Sequence, residues 1–249
     1  MIVVKSEHEL SLMREAGRIV ATVLEEVAQS VVPGITTASL DQIGHEIITK
    51  GFGAIPSFLG YRGYPASVCV SVNEEIVHGI PGSRRLEEGD IVSFDTGAIY
   101  KGYHGDAART VAVGQISDEA RALMEVTRGA LEAAIAQAVP GQRVGDISHA
   151  VESYAEPQGY SVVREYVGHG IGRSMHEDPQ VPNFGEPGRM ARLKRGMTLA
   201  LEPMVNIGGW ATRVLDDEWT VVTADGSLSA HFEDTIAIAD GAAEILTRL

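Results

Sequence analysis

Apolar residues return every three to four positions at Leu10, Met13, Gly17, Val20, Leu24 and Val27, and again at Leu123, Val126, Ala130, Ala134 and Ala138. This is the spacing of helices with one buried stripe. Ser6 with Glu9 gives the first of them the signature of a capping box. Each long helix runs into the same turn, Val32-Pro33-Gly34 and Val139-Pro140-Gly141, and each turn leads to a shorter helix ending near Gly51-Phe52 or Gly159-Tyr160. Both regions then change to alternation, Val68, Val70 and Val72 in one and Met197, Leu199 and Leu201 in the other, which predicts strands.

The recurrence keeps one offset. A shift of 107 residues lays Arg14 on Arg121, Leu24 on Leu131, Glu25 on Glu132, Leu40 on Ile147 and the first turn on the second. It also lays Asp95 on Glu202. The chain therefore reads as a single domain, residues 1–249, made of two related halves of about 6–113 and 114–249. Carboxylates from equivalent strands would then face each other across a pseudo-two-fold axis.

Composition narrows the function classes. The 249 residues are 44% hydrophobic and 22% charged, ordinary for a globular protein able to bury a full core. A net charge of −14 argues against a general DNA or RNA binder and against adsorption to anionic lipid. One basic cluster, Arg189, Arg192, Lys194 and Arg195, reads as a solvated loop before a strand that can touch a polyanion. Cys69 is the lone cysteine, so no intrachain disulfide or thiolate metal cage is available. The amino-terminal MIVVKSEHEL lacks the apolar run of a secretory signal, and no segment approaches the roughly 20 apolar residues of a membrane span. A cytoplasmic protein is expected.

The chemistry concentrates in five residues: Asp95 in FDTG, Asp106 in YHGDAART, His169 in GHGIG, Glu202 in LEPM and Glu233 in HFEDT. Four carboxylates with one imidazole suit hard or borderline divalent ions, and carboxylates can bridge two of them, which points to a two-metal hydrolase. Asp95 and Glu202 are each expected to end an apolar strand, where an unpaired charge is costly and a cation would resolve the cost. Asp95 and Asp106 flank the turn Lys101-Gly102, so one hairpin can point both to one face. The GHGIG segment has G-x-G-x-G spacing with no helix after it, unlike a dinucleotide loop, and His169 with His176 is not an H-E-x-x-H zinc helix. His169 is read as a ligand and His176 as a group facing substrate or supporting the ligands. His8, His45, His104 and His149 are read as exposed or hydrogen-bonded, His104 being placed to support a ligand.

Over nearly its whole length the chain resembles type I methionine aminopeptidases in their short bacterial form. The resemblance is carried by GYPASVCVSVNEEIVHGIP, DTGAIYKGYHGDAART, GHGIGRSMHEDPQVPNFG, LALEPMVN and LSAHFEDTIAI. It implies an α+β "pita-bread" fold of the creatinase/aminopeptidase kind, a curved antiparallel sheet flanked by helix pairs. It also implies two divalent ions, Co, Mn, Fe(II) or Zn, with Asp95 on one, His169 and Glu202 on the other, and Asp106 and Glu233 bridging. His78 and His176 would contact substrate, and Glu202 would relay a proton to the leaving amine. Phe58, Tyr61, Tyr64, Cys69, Met175 and Trp219 would form the methionine pocket. The implied reaction removes the initiator methionine from nascent proteins that carry a small second residue, by a monomer that would touch the ribosome through the basic loop Arg189 to Arg195. Phe58, Met175 and His231 depart from the family's usual residues, which bears on pocket shape more than on the reaction. A proline-specific peptidase of the same fold and a catalytically inactive peptide-binding module are the competing expectations.

Overall fold

The Glu9 carboxylate accepts the Ser6 amide at 2.8 Å while the Ser6 hydroxyl accepts the Glu9 amide at 3.4 Å, the capping box expected at the start of helix α1 (Glu7–Gln29). The computed structural model describes all 249 residues, and its helices follow the apolar periodicity closely. Along α1 the buried residues are Leu10, Met13, Gly17, Val20, Leu24 and Val27 together with the alanines and branched residues beside them. Thr36 caps α2 (Thr37–Glu46), which widens into a π-helical turn at Ile47–Gly51. The same order recurs later: Ser117 caps α3 (Asp118–Gln137), and α4 (Val144–Ala155) ends in a 3-10 turn closed by Gly159 at φ 91°.

Each helix pair buries its stripe against its own strands. Ile19, Val20, Leu24 and Leu40 pack with Val68, Val70 and Phe94, whereas Leu123, Leu131 and Ile147 pack with Leu199, Leu201 and Ile236. A fully buried side chain of this kind stabilises the fold by about 1.5–3 kcal/mol. The helix α1 sits unusually close to the sheet beneath it because two glycines meet there. A Cβ on Gly105 would lie 2.8 Å from the Gly17 nitrogen, so any larger residue would push the helix off the strand.

Two antiparallel sheets meet edge to edge. In the first, strand Ile91–Tyr100 pairs with Val68–Val72 on one side and with Tyr103–Ala112 on the other. In the second, strand Thr198–Leu201 lies between Gly168–Gly170 and Asp234–Ala237. A backbone bridge joins them, Glu233 N–H to Ala108 O at 3.0 Å and Ala108 N–H to Glu233 O at 3.3 Å. From left to right the strands carrying Cys69, Asp95 and Asp106 are thus followed by those adjoining Glu233 and Glu202 and by that of His169. Lys101 and Gly102, at φ 47° and 84°, form the tight turn of the first hairpin.

One strand boundary differs from expectation. Asp95 does not end its strand but sits in the middle of Ile91–Tyr100, whereas Glu202 follows directly on Thr198–Leu201 as expected. Pairing on both edges carries the first strand through the charge, because its backbone is satisfied by two neighbours whatever its side chain does. Likewise Val68–Val72 is buried at all five positions, so its alternation separates helix-facing from site-facing residues rather than core from solvent.

Candidate metal centre

Asp106 pairs with Gly97 across the hairpin, and Asp95 lies two residues before Gly97 on the same strand. The strand period of two therefore aims both carboxylates at one face. Across the seam, Glu233 enters through its bridge to Ala108, one strand away from Glu202. His169 is delivered by the glycines that flank it. A Cβ at Gly168 would lie 2.5 Å from Ala200 O and one at Gly170 2.1 Å from Asp178 O, so the backbone passes between its neighbours only because both are glycine.

All five sequence candidates converge on one buried cluster. The His169 Nε2 lies 3.6 Å from Glu202 Oε1 and 4.0 Å from Asp106 Oδ2, and donor atoms of Asp106, His169 and Glu233 fall within 4.8 Å of one another. The His169 Nδ1 is 2.9 Å from Gly170 O, to which it donates, leaving the Nε2 lone pair aimed at the carboxylates. Burial pushes Asp95 up to about 7 and lifts Asp106, Glu202 and Glu233 well above the usual carboxylate range, with the neighbouring carboxylates adding to the shift of the last three. Burial also lowers His169 to about 4. Asp95 Oδ1, Asp106 Oδ1 and Glu233 Oε1 are buried with no hydrogen-bond partner in the protein. Leaving charges in that state costs several kcal/mol each, and a divalent cation is the partner this donor set fits.

The backbones of the ligand candidates are tied from outside the cluster. Thr235 Oγ1 donates to Asp106 O at 2.7 Å and accepts its N–H at 3.0 Å. Arg109 donates to Glu233 O and, at 2.6 Å, to the fully buried Asp234, which also accepts from Arg248 at 2.6 Å and Thr247 at 2.8 Å. The Asn183 amide donates to Glu202 O at 3.1 Å. None of these residues was singled out from sequence, although Arg109 and Asp234 stand inside the Asp106 and Glu233 motifs. His104, expected to support a ligand, instead bonds Ser57 Oγ at 2.9 Å, while His45 bonds Ser67 Oγ at 2.8 Å and His8 and His149 are exposed. His231 is buried opposite Met204 with both ring nitrogens unpartnered, outside the cavity wall.

The cluster forms one wall of a cavity of about 160 Å³ whose other walls are Phe58, Tyr61, Tyr64, Cys69, His78, Met175, His176 and Trp219, with Arg62 at its edge. Every pocket residue expected from the resemblance is present there, and Arg62 is the addition. The volume is below the roughly 300 Å³ of a drug-sized site, as suits one side chain. Tyr64 meets Trp219 edge-on at 5.1 Å between ring centroids, and its hydroxyl donates to Gly79 O at 2.8 Å, which turns the polar end away from the cavity. The His176 ring stacks on Tyr61, bonds its hydroxyl through Nδ1 at 2.9 Å, and lies 4.2 Å from the His169 ring. His78 stands at φ 62° between Tyr166 and Trp219, and burial lowers it to about 4, so it is neutral at physiological pH.

A buried carboxylate–imidazole cluster on a seam between two antiparallel sheets, opening into an apolar pocket, defines a metal-dependent hydrolase of the metallopeptidase type. The chain belongs to metallopeptidase family M24, whose model matches residues 11–240. It is 56% identical over 249 residues to methionine aminopeptidase 1 of Bacillus subtilis (strain 168), covering 100% of both chains, and 53% identical to a methionine aminopeptidase of Clostridium acetobutylicum, covering 99% of both. The crystal structure of methionine aminopeptidase from Thermotoga maritima matches with a TM-score of 0.98 at 49% identity over 100% of each chain. The pita-bread fold expected from sequence is thereby shown. A Xaa-Pro dipeptidase from Bacillus anthracis shares the fold at a TM-score of 0.79 and 23% identity, but this chain covers 62% of it. No helix of the chain is long and apolar enough to cross a membrane.

Proposed function

We propose that this chain is a type I methionine aminopeptidase that hydrolyses the first peptide bond of chains beginning with methionine and a small second residue. The observation that carries the reading is the shared cavity: the carboxylate–imidazole cluster and a one-residue apolar pocket line the same 160 Å³. Asp95, Asp106, His169, Glu202 and Glu233 would hold two divalent ions. Such ions supply Lewis acidity and lower the pKa of bound water towards neutrality. The remaining steps belong to side chains of the protein.

Phe58, Tyr64, Cys69, Met175 and Trp219 take the thioether side chain, for which a flexible apolar lining is the natural complement. When the Tyr61 hydroxyl donates to His176 Nδ1, the ring proton sits on Nε2, where it can donate to the oxygen of the first carbonyl as negative charge develops there. Burial lowers the His176 pKa and keeps the ring a neutral donor. Glu202 takes a proton from the attacking water and passes it to the amide nitrogen as the C–N bond breaks, so that the water oxygen stays on the carbonyl carbon and the amine leaves neutral. His78 closes the wall beside the substrate. The setting proposed is the cytoplasm and the form a monomer. Arg192 and Lys194, unlike Arg189 and Arg195, have no acidic partner and are the residues through which ribosomal RNA would be touched. Unchanged ribosome co-sedimentation after reversing both charges would remove that contact.

Incubating Mn(II)-loaded protein with Met-Ala-Ser and Ala-Pro peptides tests the function. Methionine release from the first alone is expected, and cleavage of the second alone would make the chain a proline-specific peptidase.

A further inference from the structure

We infer that Arg62 selects substrates by charge beyond the cleaved bond, favouring an acidic side chain at the residue after the new amino terminus and disfavouring a lysine there. This role rests on the aminopeptidase reading above and extends it to a part of the substrate that the methionine pocket does not touch.

The cavity shares Arg62, His169 and His176 with a second, more open groove of about 500 Å³, lined further by Gly168, Glu177, Asp178 and Gln180. A peptide with its first side chain in the apolar pocket and its first carbonyl at His176 passes these shared walls into the groove. Val167 is the one hydrophobic residue in its lining, so the groove offers the downstream residues charged and polar side chains more than apolar ones. Its two carboxylates are engaged: Glu177 pairs with Lys5 at 2.6 Å, and Asp178 with the amino group of Met1. Arg62 has neither an ion pair nor a hydrogen bond, only the Tyr61 ring 5.4 Å from its guanidinium carbon.

The turn holds Arg62 at this junction. Its φ of 50° lies between Gly60 at 81° and Gly63 at 93°, and the turn is closed by Gly63 N–H to Gly60 O at 3.2 Å and Tyr64 N–H to Tyr61 O at 2.9 Å. A non-glycine residue stays in the left-handed region only where its surroundings over-determine it. The turn therefore fixes the backbone from which the side chain springs, and the guanidinium is an exposed, unpaired cation beside the route of the peptide, able to take a carboxylate in its planar fork. Because it is solvent-exposed, one such pair is worth up to about fivefold in affinity.

The test uses metal-loaded enzyme and three amidated peptides, Met-Ala-Glu-Ser, Met-Ala-Gln-Ser and Met-Ala-Lys-Ser, so that no terminal carboxylate competes. For the wild type, kcat/KM should be about fivefold higher for the Glu than for the Lys peptide, with the difference mainly in KM and shrinking as salt is raised. Arg62→Gln should bring the ratio to about one, Arg62→Glu should invert it and Arg62→Lys should keep its sign. A wild-type ratio within about twofold of one, or a ratio that persists in Arg62→Gln, overturns the role. Failure of the wild type to release methionine from any of the three would instead overturn the activity itself, and this role with it.

Discussion

At the scale of single residues, the site divides into groups that hold charge and groups that place a proton. His176 belongs to the second kind, since its Nδ1 is engaged by Tyr61 and its ring stands beside the cluster without being one of its carboxylate-facing donors. His176→Ala should therefore lower kcat by about a hundredfold while leaving metal content unchanged, as loss of one transition-state donor does. Elemental analysis beside steady-state kinetics decides the point, because a loss of metal would make His176 a ligand. The residues legible in the sequence were those whose chemistry is unusual where they stand: carboxylates in apolar strands and a histidine between glycines. Arg62, Arg109 and Asp234 were not legible. Arg109 and Asp234 matter through partners far away along the chain, as with Arg109 reaching Glu233 and Asp234, and Arg62 through its place where two cavities adjoin, and no local pattern records either.

At the scale of elements, the long helices were readable because a 3.6-residue period of apolar side chains has one physical meaning, and their caps carried recognisable chemistry. The strands were less so. The Ile91–Tyr100 strand runs through Asp95 because both of its edges are paired, and short strands such as Met204–Asn206 carry too few residues for alternation to show. The close seat of α1 on the hairpin was also hidden, although its cause, Gly17 against Gly105, is a matter of two residues. Gly105→Ala places a methyl group 2.8 Å from the Gly17 nitrogen and should destabilise the protein by about 1–3 kcal/mol through overpacking. Urea denaturation reads this directly. A midpoint equal to that of the wild type would mean that helix and hairpin separate without cost.

At the scale of the whole molecule, we propose that the 6–113 and 114–249 halves descend from one duplicated unit, whose consequence is a buried meeting point of acids that neither half could neutralise alone. The metal-free protein should reveal this through pH. Carboxylates whose folded pKa is raised, Asp95 to about 7 and Asp106, Glu202 and Glu233 also upward, favour the fold below the unfolded value near 4, and this contribution is lost as pH rises through the folded values. Buried His78 and His104, lowered to about 4, act oppositely: their contribution is present above about 6.5 and lost as pH falls towards 4. The histidine contribution is common to both forms, so the gap in melting temperature between metal-loaded and metal-free protein should widen from about pH 5.5 to about pH 8. A constant gap would place the acids elsewhere than in a common buried cluster. The most direct measurement is anomalous X-ray diffraction from crystals reconstituted with Mn(II). Two anomalous peaks enclosed by Asp95, Asp106, His169, Glu202 and Glu233 are expected, and a fully reconstituted crystal with no peak among these five residues would contradict the convergence of the two halves on a metal centre.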